Sequence, residues 1–255
     1  MADARQVSGF FPASVREAYA NQVDYCRAND STVTARIVTA IAEQLDQPDP
    51  GAFIACIRDW PGSPLADAVP LRSAGGLHAL HLSGQAPELA PIYADQPADD
   101  AAIISAVVRQ HETFLLPWLD GPPQTNEAGR SSGFVAAMLW LAEQGFAPRF
   151  DCLEIGSSAG INLMIDRYHY DLGGVQVGPQ NAAMQFSPEW RGSLPPDREI
   201  SFVGLKGCDV APLDLTDPVQ TMRIKAYIWP EHTVRFARLE AAIAAAAARS
   251  DGFGS

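Results

Sequence analysis

Residues Phe150 to Asp166 constrain the fold of this chain more than any other stretch. Phe150–Ile155 is a short apolar run that reads as a buried strand. Gly156-Ser-Ser-Ala-Gly160 breaks it, and Ile161, Met164, Ile165 and Tyr168 then recur at helical spacing. Strand, small-residue turn and helix, in that order, open a nucleotide-binding βαβ unit. Small residues let a ligand approach the backbone, and free N–H groups at a helix start meet polar or anionic groups.

The 123 residues on the N-terminal side read as a helical domain. Ser14-Val-Arg-Glu17 has the capping-box pattern, followed by the stripe Val15, Tyr19, Val23 and Cys26. Ser31 and Thr32 offer a second cap before Val33, Ile37, Val38, Ile41 and Leu45. Asp99 and Asp100 suit the start of a long helix through Ile103, Ile104, Val107 and Phe114, closed by Gly121-Pro-Pro123. Phe53–Ile57 is ambiguous, and Leu77–Leu82 and Leu89–Tyr93 suggest short helices. His78 and His81 share a helix face. His111-Glu112 begins like HExxH, but Leu115 stands where the second histidine is required, so the zincin reading falls.

Charge narrows the function classes. A net charge of −12 with only Lys206 and Lys225 as lysines argues against a nucleic-acid backbone as the main partner. No apolar run is long enough to span a bilayer, and the first residues lack the pattern of a secretory signal. Cys26, Cys56, Cys152 and Cys208 have no CxxC pairing, so free thiols in a reducing cytoplasm are expected and no metal site is expected.

Around the central segment, Gln124-Thr-Asn-Glu-Ala-Gly-Arg130 reads in two ways. Thr125 or Asn126 caps the helix carrying Phe134, Val135, Met138 and Leu139, with Glu127 at its positive end. Alternatively Gln124, Asn126, Glu127 and Arg130 form a polar pocket wall, with Tyr168 as a further lining residue. Residues 175–198, rich in proline, are an inserted lobe or a hairpin. Ile200–Val203 is the next strand candidate, followed by Asp209 and Asp214 as acids suited to ribose hydroxyls. Asp209 lies nearer the strand end. Ile224–Trp229 is a third strand candidate, with a helix from Glu231 to Ala248. Glu231 and His232 would stand at that strand's edge as candidate general bases.

Glu154-x-Gly156-x-Ser158-x-Gly160 lacks the dinucleotide pattern G-x-G-x-x-G. It looks like motif I of class I S-adenosylmethionine-dependent methyltransferases, with Ser158 where glycine is usual. The resemblance implies that Glu154, Gly156, Ser157, Ser158, Gly160 and Asn162 surround the methionine part of S-adenosylmethionine, with Asp209 as partner. The wider set, Gln124-Thr-Asn-Glu127 with Arg130, Glu154–Leu163, Asp166-Arg-Tyr168, Gly207–Asp214 and Trp229-Pro-Glu231, resembles the bacterial family DUF2332 over nearly the whole chain. That resemblance implies a helical N-terminal domain over 1–123 and a methyltransferase-like, Rossmann-type α/β domain over 124–255. It supplies no catalytic residue. The family looks longer at the C-terminus, so the sheet is expected to be incomplete, and its open edge would invite homo-oligomers. The expected function is a methyltransferase-like enzyme on an unknown acceptor; the alternative is a non-catalytic nucleotide-binding or interaction protein.

Overall fold

The computed structural model describes residues 14–250, which fall into two compact units. The residues before 14 and after 250, on which the expectations about a secretory signal and a shortened C-terminus fall, lie outside the described residues.

The first unit runs to Pro123 and also holds Trp229–Glu231. Its helices are α1 (Val15–Ala28), α2 (Thr32–Gln44), α3 (Gly51–Arg58), α4 (Val69–Leu82), α5 (Ala90–Tyr93), α6 (Asp100–Gln110) and α7 (Glu112–Leu115). The Ser14 capping box forms as its pattern predicts: Ser14 Oγ accepts from Glu17 N–H, and the Glu17 carboxylate accepts from Ser14 N–H. Asp99 caps α6 through Ala102 N–H. The apolar stripes meet in one core built on Tyr19, Ile41, Phe53, Leu77, Leu80 and Ile104. Phe53–Ile57, ambiguous in sequence, is helical. Its Phe53, Ile54 and Ile57 face that core at one-turn spacing. His78 and His81 do share a face of α4; the His81 ring stacks on Tyr93 at 4.0 Å between centroids.

Helix α2 corrects two expectations at once. Ser31 makes no side-chain cap. Glu231 does the work instead, its Oε1 accepting from Val33 N–H at 2.7 Å and from Thr34 N–H at 3.4 Å. A carboxylate at a helix N-terminus satisfies donors that have no intrahelical partner and complements the positive end of the dipole. Glu231 is therefore a capping residue, engaged at the backbone, and not poised as a general base. Glu231→Ala should cost about 1 kcal/mol, a fall in melting temperature of roughly 2–4 °C by circular dichroism. Glu231→Asp, too short to span the same distance, should not restore it.

The second unit holds Gln124–Ile228 and the chain from His232 onward. It is mixed α/β. Helix α8 (Ser131–Glu143) leads to strand β1 (Arg149–Ile155), and a 3-10 segment covers Ile161–Arg167. Short strands β2 (His169–Asp171), β3 (Gln176–Val177) and β4 (Gln185–Phe186) form a small sheet of order β3-β2-β4. Strand β5 (Ser201–Cys208) pairs parallel with β1, from Arg149 opposite Ser201 to Ile155 opposite Cys208. Helices α9 (Pro218–Ala226) and α10 (Thr233–Ser250) complete the unit. Among the described residues the parallel sheet has two strands, β1 and β5, fewer than the incomplete Rossmann-type sheet expected, and Ile224–Trp229 adds no third.

Three sequence readings change here. The β1 strand is not buried on both faces. Its alternation puts Phe150, Cys152 and Glu154 toward the unit's interior, while Leu153 and Ile155 are 67% and 83% exposed. Parallel strands are ordinarily covered on both sides. Second, the segment after Gly160 forms 3-10 turns with a kink at Met164 and ends at Arg167, because Tyr168 is extended and feeds β2. Third, Ile224–Trp229 is not a strand. Asp217 caps α9 through Val219 N–H and Pro218 sits at the helix start, where its fixed φ is favourable. The helix therefore claims Ile224, and α10 starts at Thr233. The proline-rich stretch resolves into the small sheet, packed through Tyr168, Tyr170 and Phe186.

Candidate functional site

Alternation along β1 carries Glu154 inward, and the turn returns Asn162 to meet it: Asn162 Nδ2 donates to Glu154 Oε1 at 2.9 Å. The same amide lies 3.5 Å from Asn126 Oδ1, and Asn126 Nδ2 donates to the Ser157 carbonyl at 2.9 Å. Three of the residues read from sequence thus form one buried polar chain. Two of its atoms, Glu154 Oε2 and Asn162 Oδ1, are enclosed without a hydrogen-bond partner. Both are acceptors, because the contact to the carboxylate fixes which end of the Asn162 amide faces it. Buried acceptors without donors are costly and uncommon.

The turn itself is tightly folded. Gly156, Ser158 and Gly160 all adopt positive φ, of 74°, 50° and 69°. Glycine does so freely; a serine there is strained by about 1–2 kcal/mol. Ser158 has compensating bonds. Its N–H donates to Asp209 Oδ2 at 2.7 Å and its hydroxyl to Gln124 Oε1 at 2.8 Å. Gln124 Nε2 reaches the Ala211 carbonyl at 3.4 Å, so it bridges the two loops that follow β1 and β5. The N–H groups of Gly156 and Ser157 both point to the Cys208 carbonyl, and that of Gly160 to Ser157 O. The turn's donors are thus largely spent internally. Gly207 on β5 faces it closely: a Cβ there would stand 2.6 Å from Ser157 Oγ.

The remaining sequence candidates take other places. Asp209 accepts from Ser158 N–H and Ala211 N–H, one on each oxygen, which holds its carboxyl below the ordinary aspartate range, the Ala211 bond contributing most. It shapes the turn. Asp214 accepts from Thr216 through Oδ1 and lines a cavity of about 310 Å³ together with Gly160, Leu163, Asp166 and Leu213. Glu127, rather than Thr125 or Asn126, caps the 3-10 turn Ala128–Arg130 through Gly129 N–H. Its carboxylate also meets Arg235 Nε at 2.7 Å and Arg238 Nη1 at 2.9 Å. Burial pushes the Glu127 carboxyl up, but the Gly129 bond and the two guanidinium groups outweigh it, and the net shift is downward. Arg130 is exposed and shares no partner with Glu127. Tyr168 is buried, its hydroxyl donating to Ile161 O at 2.7 Å. It braces the 3-10 segment and lines no open surface.

Arg235 and Arg238 were missed from sequence. Their three-residue spacing on one helix face was visible; their acidic partner, more than a hundred residues earlier, was not. Among the described residues, no group of three or more His, Cys, Asp or Glu is placed to hold a metal ion, and no helix is long and apolar enough to cross a membrane.

The family model described as "Uncharacterized protein conserved in bacteria (DUF2332)" matches residues 16–252. No curated protein and no solved structure matches.

Proposed function

The chain belongs to the DUF2332 family, and for it we propose that the segment Glu154–Asn162 binds a small molecule through a protonated amino group, with S-adenosylmethionine as the ligand. The observation that carries this reading is the pair of enclosed acceptors, Glu154 Oε2 and Asn162 Oδ1. An ammonium group supplies the donors and the charge that this pair lacks. A phosphate needs free N–H donors, and here Gly156, Ser157, Ser158 and Gly160 have spent theirs on Cys208, Asp209 and Ser157. The turn therefore fits the methionine end of S-adenosylmethionine better than the pyrophosphate of a dinucleotide.

The cavity bordering Gly160 and Leu163 is within the size of small-molecule sites. In it Asp214 Oδ2, which makes no bond in the structure, is the acid available to ribose hydroxyls. Glu154 and Asn162 would hold the amino group, and Gln124 and Asp209 would hold the turn in shape. When bound, the cofactor would supply an electrophilic methyl group. No residue of the site is assigned to an acceptor, so the proposal extends to binding and to a methyltransferase-like role on an unknown acceptor. Because both acceptors are closed off from solvent, binding requires the turn 156–160 to shift. That enclosure favours the second reading, a non-catalytic protein in which the network only locks the turn.

Calorimetric titration separates the two. S-adenosylmethionine and S-adenosylhomocysteine, both carrying the amino group, should bind. Methylthioadenosine, which lacks it, should bind at least about tenfold more weakly, the size of one charged hydrogen bond, and NAD should give no heat. Absence of heat with the first two leaves only the structural lock.

A further inference from the structure

The first unit contains a second, unrelated candidate site built around Arg72 on α4. Among the described residues Arg72 is the most enclosed arginine, 9% exposed. Buried charges are ordinarily paired with an opposite charge. Three partly buried arginines obey that rule, Arg36 through Asp95 and Asp100, Arg235 and Arg238 through Glu127. Arg72 does not. Its Nε donates to the Asp67 carbonyl at 2.6 Å and its Nη1 to the Leu119 carbonyl at 2.7 Å, and among the described residues no carboxylate ion-pairs with it. Its guanidinium lies over the Trp60 ring, 5.3 Å from the centroid. Two carbonyls and a ring face fix the orientation of the group without neutralising it. Its second terminal nitrogen, Nη2, makes no hydrogen bond.

This guanidinium borders a cavity of about 480 Å³, which Cys56, Leu116, Pro117 and Leu119 also line. Two acids stand on the same wall. Asp67 already accepts the Trp60 indole N–H at 2.8 Å, and Asp120 is exposed. Neither comes within ion-pair distance of Arg72. We propose that this cavity binds a small-molecule carboxylate with an apolar body. The Nη2 edge of Arg72 would meet the carboxylate, and Leu116, Pro117 and Trp60 would cover the apolar part. The planar guanidinium presents paired donors that match a carboxylate. The two acids on the wall, Asp67 and Asp120, disfavour a multiply charged anion.

The full chain titrated with 4-fluorobenzoate, followed by fluorine NMR line width, tests the proposal. Saturable broadening is expected, and 4-fluorobenzamide, without the charge, should bind at least about tenfold more weakly. Bound benzoate should slow alkylation of Cys56 by iodoacetamide several-fold and leave Cys208, which is also exposed, unaffected. Arg72→Met should abolish both effects. If that variant does not fold, Cys56→Trp, a substitution at an exposed position that fills the cavity mouth, should abolish the broadening. Absence of broadening, equal binding of the amide, or an unprotected Cys56 would overturn the site. Displacement by inorganic phosphate as effective as by benzoate would overturn its assignment to carboxylates.

Discussion

Replacing Glu127 with alanine should lower the melting temperature of the unit that contains it by roughly 6–12 °C, the shift that follows from a loss of about 3 kcal/mol. One carboxylate serves Gly129 N–H, Arg235 and Arg238 at 2.7–3.0 Å, and its side chain is only 16% exposed. Without it, two guanidinium groups remain close together, partly buried and uncompensated, while the 3-10 turn before α8 loses its cap. Glu127→Gln keeps the shape and the Gly129 bond but removes the charge, and should fall between wild type and alanine. The linkage to pH follows from the lowered folded-state pKa. Glu127 contributes its full stability above its unfolded value, near 4.5, and loses it as pH falls through the lower folded value. The alanine variant should therefore show a shallower loss of stability across that acid range. Melting curves recorded at neutral pH and on the acid side of the ordinary glutamate pKa measure both effects; equal melting of wild type and alanine variant at neutral pH would contradict the network.

The second large effect concerns binding. Glu154→Gln should weaken S-adenosylmethionine by about 10- to 100-fold, because it removes the charge partner of the ammonium group. It retains an acceptor toward Asn162, so the turn should keep its shape and the variant should melt near wild type. A loss of affinity at unchanged stability identifies a ligand contact; in the locking role there is no affinity to change. Asn162→Leu, by contrast, removes the amide that donates to both Glu154 and Asn126 and should destabilise the turn under either reading.

The local signals were the most legible parts of the sequence. The capping box at Ser14, the Asp99 cap and the apolar stripes of α1 and α2 each depend on neighbours within a few residues, and each forms as patterned, whereas the long helix expected from Asp99 through Phe114 stops at Gln110 and resumes as α7 after His111. Glu154, Asn162, Gln124 and Asp209 were each singled out in the sequence, and all four lie about one turn; that Gln124 and Asp209 bond to Ser158 was not legible there. What escaped were long-range choices. Ile224–Ile228 is as apolar as a strand, and only the preceding Asp217-Pro218 pair marks it as the end of a helix. Leu153 and Ile155 look like core residues, but alternation alone cannot say which face of a strand will be covered. Glu231 reads as a helix start in its own neighbourhood; its actual partners, Val33 and Thr34, lie about two hundred residues away.

The pairing of β1 with β5 has a consequence for the order of folding. Each rung of that ladder joins residues about fifty positions apart, with the whole β2–β4 sheet between them. Closing so long a loop is entropically costly before any rung exists to offset it, and parallel pairings are reached late for that reason. The turn at Gly156–Gly160 takes its shape from β5 through Cys208 and Asp209. It therefore cannot adopt its strained geometry until β5 has docked. The candidate pocket therefore depends on this long-range pairing: whatever loosens β5 from β1 removes the turn's geometry as well.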